Sequence, residues 1–287
     1  MRFDLLKLAL TGVVVAALGV VGCGEEDQAG PAMPSHEGAE VSHIHGLGTN
    51  PSDGSLFVAT HSGLFQAAAD STALTHVGST QQDVMGFTVV GPDHFVASGH
   101  PAPGETGPPH FGLIESRDAG ESWQEVSLSG RADFHVLRSS AGRIYGYNGL
   151  TGKLMISSDS GKTWKSSTPP APLFDVAIDP GDPEHLVASS EAGLLERQGN
   201  RWRRLSKELG FLAWPQEDAL YLAGLDGSVS VSGNSGGKWT RRGQVSETPV
   251  AFSVSDAKTL QLATEAGTVQ QSGDGGRSWT LRARGGS

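Results

Sequence analysis

Cysteine is nearly absent from this chain: Cys23 is the only one among 287 residues. A single thiol excludes an intrachain disulfide framework and a cysteine-rich zinc site. Charged residues make up only 18% of the chain, and 31 acidic residues outnumber 21 basic ones, which gives a formal net charge of −10. A surface of that sign repels a nucleic-acid backbone, so we expect no nucleic-acid partner.

Helix-forming segments are scarce beyond the first twenty positions, whereas glycine is abundant, with 40 residues. This combination favours short strands joined by tight turns over a helical bundle. The uncharged, mostly apolar run Leu8–Val21 is too short to span a bilayer and is typical of a secretory signal peptide. It is followed by Gly22-Cys23, which resembles the lipobox of bacterial lipoproteins. That resemblance implies cleavage before Cys23 and lipidation of its thiol.

Three regions follow from this interpretation. Residues 1–22 are predicted to be a lipoprotein signal peptide, residues 23–40 a flexible tether, and residues 41–287 the folded domain. The mature protein would be extracytoplasmic and anchored to a bacterial membrane through Cys23. We expect it to be a monomer.

Four segments of the domain repeat the pattern Ser-x-Asp-x-Gly-x-x-Trp, one of them with Asn in place of Asp. These box segments are Ser116–Trp123, Ser157–Trp164, Ser232–Trp239 and Ser272–Trp279. Together with Trp202 in a degenerate copy, the tryptophans lie 37 to 41 residues apart, a period typical of β-propeller blades. The pattern resembles the Asp-box, or BNR repeat. The Asp would accept backbone N–H groups, the Gly would adopt a positive φ, and the Trp would pack between blades, so we interpret the boxes as scaffolding.

Six pairs of apolar segments predict an all-β fold, a six-bladed β-propeller with box hairpins and four antiparallel strands per blade. The predicted innermost strands are Ile44–Leu47, Gly86–Val90, Phe134–Leu137, Phe174–Ile178, Phe211–Trp214 and Ala251–Val254. We call the end of the channel where these strands begin the upper mouth. Because strands alternate in direction, the loops between second and third strands share this face, and the box turns lie on the opposite one. Ring closure is predicted to be blade against blade.

Nine of the ten histidines precede residue 136, and several of them fall on the upper face. His100 and His110 bracket the longest insertion, Pro101–Pro109. The candidate metal ligands are His43, His45, His61, Met85, His100 and His135. The candidate ligand-binding carboxylates are Asp83, Asp133 and Asp175.

The spacing of these residues indicates a metal or polar-ligand site, because the pairs His43/His45, Asp83/Met85 and Asp133/His135 each place two groups on one side of a strand. Imidazole with carboxylate suits Zn, and imidazole with a thioether favours Cu. The alternative is a polar channel lining that binds no metal.

Stretches such as His43–Gly48, Val58–Phe65 and Met85–Asp93 resemble a bacterial lipoprotein family described as glycosylhydrolase-like, within the sialidase and sortilin-type propellers. The resemblance implies a propeller over residues 41–285. Sialidases of this fold use three arginines, and no such upper-face triad is recognisable here, since Arg117 is the first arginine after the leader.

Two functions remain open from the sequence. The first is a lipid-anchored binding or assembly module whose upper mouth holds a metal, a small molecule, a glycan or a partner protein. The alternative is a glycoside hydrolase that uses two of the upper or channel acids, Asp83, Asp133, Asp175 and Glu115. Fold alone does not decide between them.

Overall fold

The computed structural model describes Val41 and residues 43–285; the predicted signal peptide, Cys23 and the tether lie outside the described residues. Within that part of the chain, 24 strands form six four-stranded antiparallel sheets. No helix of the described residues is long and apolar enough to cross a membrane. The predicted six-bladed, all-β propeller is confirmed.

Each blade uses four consecutive strands, the first innermost and the fourth outermost. Blade 1 comprises β1 (Ile44–Thr49), β2 (Leu56–Thr60), β3 (Gly63–Ala67) and β4 (Thr75–His76). Blade 2 comprises β5 (Asp83–Gly91), β6 (His94–His100), β7 (Leu113–Ser116) and β8 (Gln124–Ser127). Blade 3 comprises β9 (Phe134–Ser140), β10 (Arg143–Asn148), β11 (Lys153–Ser157) and β12 (Lys165–Ser167).

The second half of the ring repeats this order. Blade 4 comprises β13 (Leu173–Ile178), β14 (His185–Ser190), β15 (Gly193–Gln198) and β16 (Arg201–Arg204). Blade 5 comprises β17 (Gly210–Gln216), β18 (Ala219–Gly224), β19 (Ser228–Ser232) and β20 (Thr240–Gln244). Blade 6 comprises β21 (Pro249–Val254), β22 (Leu260–Thr264), β23 (Thr268–Ser272) and β24 (Thr280–Arg284).

The core is divided among the six contacts between neighbouring blades. The second strand of each blade is almost entirely buried, as in β2 and β18, because it is covered on both faces by adjacent sheets. Each of six apolar clusters joins residues of two neighbouring blades, including the pair formed by blades 6 and 1. The outermost strands are short and largely exposed, which leaves little apolar sheet edge open to solvent.

The box segments form hydrogen-bonded turns as predicted. In the second box, the Ser157 hydroxyl accepts a bond from the Gly161 N–H at 2.8 Å and donates to Asp159 Oδ1 at 2.8 Å, and that oxygen accepts the Thr163 N–H at 2.9 Å. Gly161 has φ +82°, and a Cβ there would lie 2.1 Å from Leu113 of the preceding blade. The box tryptophans each pack against the preceding blade, as Trp164 does against blade 2. The boxes therefore tie neighbouring blades together.

Blade 6 meets blade 1 without a shared sheet, as predicted. The Arg282 guanidinium donates to the carbonyl oxygens of Ala67, Ala68 and Ser71 at 2.6–3.1 Å. A single parallel bridge pairs Ala73 with Arg284 beside these bonds. The ring is closed by apolar packing and by these few polar contacts.

Candidate functional site

The innermost strands of five blades contain a β-bulge near the upper mouth. The extra residues, which have no partner in the ladder and which we call the bulge ring, are His45, Met85, His135, Phe174 and Val250. Each is partly or fully exposed, while the residues directly before and after it are buried. A bulge redirects one side chain without shifting the rest of the strand to the other face. The bulge ring therefore directs one side chain from each of these blades away from the packed sheets.

His45, His61 and Asp83 form the first of two groups, which we call the first triad. The Nε2 atom of His45 lies 3.1 Å from Nδ1 of His61 and 3.7 Å from Oδ1 of Asp83. The His61 nitrogen lies 3.0 Å from the same Asp83 oxygen. His45 comes from the β1 bulge, His61 from the turn after β2, and Asp83 from the start of β5. Three potential metal ligands from two blades thus face a common point.

His100, His110 and Asp133 form the second triad. Nε2 of His100 lies 3.5 Å from Oδ1 of Asp133, and Nδ1 of His110 lies 3.7 Å from its Oδ2 atom. The Pro101–Pro109 insertion returns to the end of β6, where the N–H of Phe111 bonds the carbonyl of Gly99. This return places the two imidazole rings 5.1 Å apart.

The two triads are adjacent because His100 lies between their carboxylates. Its Nδ1 is 3.2 Å from Oδ2 of Asp83, while its Nε2 faces Asp133. His135 extends the group on the other side, with its Nε2 atom 3.0 Å from Oδ2 of Asp133. Five histidines and two aspartates therefore form one continuous polar cluster at the upper mouth.

Burial and neighbouring charges shift the pKa values of two of these histidines in opposite directions. Burial lowers the pKa of His45 to about 4, so this imidazole is neutral and free to ligate at neutral pH. The hydrogen bond that His135 donates to the Asp133 carboxylate raises the pKa of His135. Burial acts to raise the pKa of Asp133. The hydrogen bond from His135 and the charges of His135, His100 and His110 outweigh burial, so the pKa of Asp133 is lowered overall. Asp133 therefore stays ionised among its histidines.

Three buried atoms of the cluster make no hydrogen bond of acceptable geometry among the described residues, although Nδ1 of His61 lies 3.0 Å from one of them, Oδ1 of Asp83. They are Oδ1 of Asp83, Oδ1 of Asp133 and Nδ1 of His110. Buried polar atoms are normally paired, and an unpaired one calls for an explanation such as a bound ion or water. Each of the two triads contains at least one of these atoms, and all three are potential metal ligands.

The structure brings together most, but not all, of the predicted site residues. His45, His61, Asp83, His100, Asp133 and His135 lie in the cluster. His43 lies at its edge, with its ring 5.5 Å from that of His61. Met85 is the bulge residue of β5. The bulge interrupts the alternation of side chains along the strand, and the prediction that Met85 and Asp83 point to the same side depended on that alternation.

Asp175 is buried and lines a small cavity together with His45 and His135, but its carboxylate is bonded to other groups. Its carboxylate accepts bonds from the Arg138 guanidinium at 2.6 Å and from the N–H groups of Val176 and Leu212 at 2.8 and 2.9 Å. All these partners belong to blades 3, 4 and 5, so Asp175 ties blades together.

His110 is the potential metal ligand that was absent from the predicted set. The sequence signal for His110 was its position at the far end of the proline-rich insertion that begins after His100.

The remaining acid considered for hydrolysis, Glu115, is engaged elsewhere. It is the next-to-last residue of β7 and contacts His94 and Arg117. His94 begins β6, at the end of that strand opposite to His100. A similar contact in blade 4 joins His185 to Asp179 and Glu196. These contacts lie on the lower face and contribute nothing to the mouth.

Comparison with known proteins identifies the fold alone. No protein-family model matches the chain, and no curated protein matches it by sequence. Among solved structures, the chain is similar to YCF48 bound to D1 peptide, with a TM-score of 0.53 and 14% identity over 88% of this chain and 87% of that chain. It is also similar to a GH74 enzyme from Niastella koreensis, with a TM-score of 0.63 and 15% identity.

That second match covers 85% of this chain and 46% of the enzyme. A GH74 xyloglucanase from Xanthomonas campestris gives a TM-score of 0.57 and 15% identity over the same shares. This chain therefore spans less than half of the GH74 enzymes that it matches. At these identities the similarity supports a propeller and says nothing about chemistry.

Proposed function

We propose that this protein is a propeller binding module that holds a transition metal at its upper mouth, on an extracytoplasmic lipoprotein anchored through Cys23. The observation that carries the metal proposal is the pair of His₂Asp triads, in which three buried potential ligand atoms make no hydrogen bond of acceptable geometry among the described residues. The anchoring rests on the sequence of the leader. The Asp-box interpretation of the boxes fits the repeated Ser-Asp-Gly hydrogen bonds.

The geometry of the first triad fits a tetrahedral divalent ion. With metal–ligand distances near 2.0–2.1 Å, tetrahedral zinc requires ligand atoms about 3.3 Å apart. The three separations in the first triad range from 3.0 to 3.7 Å. Imidazole nitrogen and carboxylate oxygen suit Zn(II) or Cu(II), whereas Cu(I) prefers sulfur ligands. Because the ligands of both triads are imidazoles and carboxylates, we favour Zn(II) or Cu(II).

A metal held by three protein ligands keeps a position for another group. The His61 side chain is 54% exposed and that of His135 is 49% exposed, so the cluster is accessible from the upper face. A donor group of a small molecule or a partner protein could therefore complete the coordination. The metal would then be the recognition element of the module.

The glycoside hydrolase alternative receives less support from the same geometry. Such an enzyme needs two carboxyl groups separated by space for a sugar or a water molecule. Of the four acids considered, only Asp83 and Asp133 lie at the mouth, and the ring of His100 contacts both of them. Asp175 and Glu115 are engaged in other ion pairs. The carboxylates at the mouth are therefore arranged around imidazoles.

Metal binding to the full-length chain, purified in detergent and stripped with a chelator, tests the proposal. We expect tight, stoichiometric binding of Zn(II) or Cu(II) by isothermal titration calorimetry and elemental analysis, accompanied by a rise in the thermal unfolding temperature. The double variant His61→Ala/His110→Ala removes one ligand from each triad and should abolish it. His94→Ala on the lower face is the matched control. Absence of binding to the wild type, or equal binding by the double variant, would refute the proposal.

A further inference from the structure

His100 connects the two triads, because each of its ring nitrogens faces the carboxylate of a different triad. Nδ1 of its ring lies 3.2 Å from Oδ2 of Asp83, and Nε2 is turned toward Asp133. We propose that the mouth holds two metal ions, one in each triad, and that Asp83 couples them by ligating the first and orienting a ligand of the second. This inference rests on the proposed function and adds the number of ions and the link between them.

The donor atoms divide into two complete sets. The first set is Nε2 of His45, Nδ1 of His61 and a carboxylate oxygen of Asp83, and the second is contributed by His100, His110 and Asp133. Within each set all ligand atoms lie within 4.8 Å of one another, and no residue belongs to both sets. Each set has three protein ligands, the number found in zinc sites that leave a fourth position open. Two ions can thus be held without competing for a ligand.

The coupling follows from the two oxygens of Asp83. Its Oδ1 atom is buried and faces the first triad, 3.0 Å from Nδ1 of His61 and 3.7 Å from Nε2 of His45. Its Oδ2 atom faces Nδ1 of His100 in the second triad. A carboxylate bonded to one ring nitrogen fixes the imidazole tautomer and directs the other nitrogen to the metal. Asp83 is therefore a ligand of the first ion and a positioning residue for the second.

Asp133 has an orienting partner of its own. It belongs to the second triad, and its Oδ2 atom also bonds His135 of the bulge ring. His135 is in neither set, so it serves as a partner that orients the Asp133 carboxylate. The mouth thus contains ligands and their orienting partners in one network, as metal centres require.

Zinc stoichiometry tests the number of ions. The full chain in detergent should bind two equivalents of Zn(II), and His61→Ala and His110→Ala should each bind one. His94→Ala should still bind two. If the wild type binds one equivalent of Zn(II), and His61→Ala and His110→Ala each abolish that binding, a single ion is shared by the two triads. This result would overturn the two-ion inference while leaving the proposed function intact. No zinc in the wild type would instead refute the proposed function. Should His110→Ala fail to fold by circular dichroism, His110→Gln provides the same test.

The coupling is tested by two variants that both destroy the first triad. His61→Ala leaves Asp83 bonded to His100, whereas Asp83→Ala removes that partner. Both should bind one ion, but calorimetry should give a dissociation constant about 10- to 100-fold weaker for Asp83→Ala. Asp83→Asn keeps an acceptor oxygen without the charge and should fall between them. Equal dissociation constants for the second ion in His61→Ala and Asp83→Ala would overturn the coupling.

Discussion

Replacement of Asp175 by Ala should destabilise the propeller and leave its metal binding unchanged. The Asp175 side chain is only 1% exposed, and its carboxylate joins three blades through Arg138, Val176 and Leu212. Burial raises the pKa of this carboxyl group, while the Arg138 guanidinium and the two backbone N–H groups act in the opposite direction. The substitution would leave a guanidinium and two buried N–H groups without their acceptor.

The expected magnitude follows from these contacts. Breaking a fully buried ion pair by removing one partner costs about 3–5 kcal/mol. The Arg138 side chain is 27% exposed and can regain water, which reduces that cost. Each of the two N–H groups left unpaired adds about 1–3 kcal/mol. Because the lower limits of these contributions already add up to this amount, we expect the free energy of unfolding to fall by at least about 3 kcal/mol.

Urea unfolding followed by tryptophan fluorescence measures the effect. A change of about 3 kcal/mol corresponds to a midpoint shift of about 1 M for a domain of this size. Asp70→Ala, at an exposed position, is the control and should change stability by less than about 0.5 kcal/mol. Arg138→Met combined with Asp175→Ala should recover part of the loss, because no unpaired charge remains. If Asp175→Ala unfolds like Asp70→Ala, or binds zinc differently from the wild type, the scaffold role is wrong.

Three further predictions concern the box turns and the leader. Ser157→Ala should lower the free energy of unfolding by about 1–3 kcal/mol, because the buried hydroxyl serves both Gly161 and Asp159; equal urea midpoints for variant and wild type would contradict this. Hydrogen bonds from Thr163 lower the pKa of Asp159 to about 2, so its stabilisation is complete above about pH 4 and is lost as pH falls through 2. The wild type should therefore lose more stability than Asp159→Asn between pH 4 and pH 2, and parallel losses would count against the assignment. Cys23→Ser should abolish labelling by a fatty-acid analogue and release the protein from membranes, whereas unlabelled, soluble wild type would exclude a lipoprotein.

The fold could be predicted from the sequence because each blade repeats the same local signals. The buried second strands, the box turns and the spacing of the tryptophans all recur with one period, so each blade supports the interpretation of the others. The ends of the strands follow less directly from these signals. The innermost strand of blade 2 begins at Asp83 rather than Gly86, since its pairing with β6 continues to His100 across the bulge.

The site was predictable where strand direction alone decides which face a residue occupies. His45 and His135 fall at the mouth in the structure and lie at bulges. Asp175 illustrates the limit, because the bulge of β13 falls on Phe174 and turns the next residue into the packed interior. A one-residue bulge leaves no mark in the apolar pattern. The return of His110 to His100 likewise depends on the path of a loop.

Closure without a shared sheet has a consequence for the order of the blades along the chain. Each sheet consists of consecutive strands, and the two ends of the described domain are in contact, since Gly285 packs against Val41. Joining those ends and opening the ring at another link between blades would leave all six sheets intact. The propeller is therefore suited to circular permutation, and a new terminus between blades 4 and 5 or 5 and 6 would leave blades 1 to 3 uninterrupted. The architecture of the ring therefore does not require any one blade to come first.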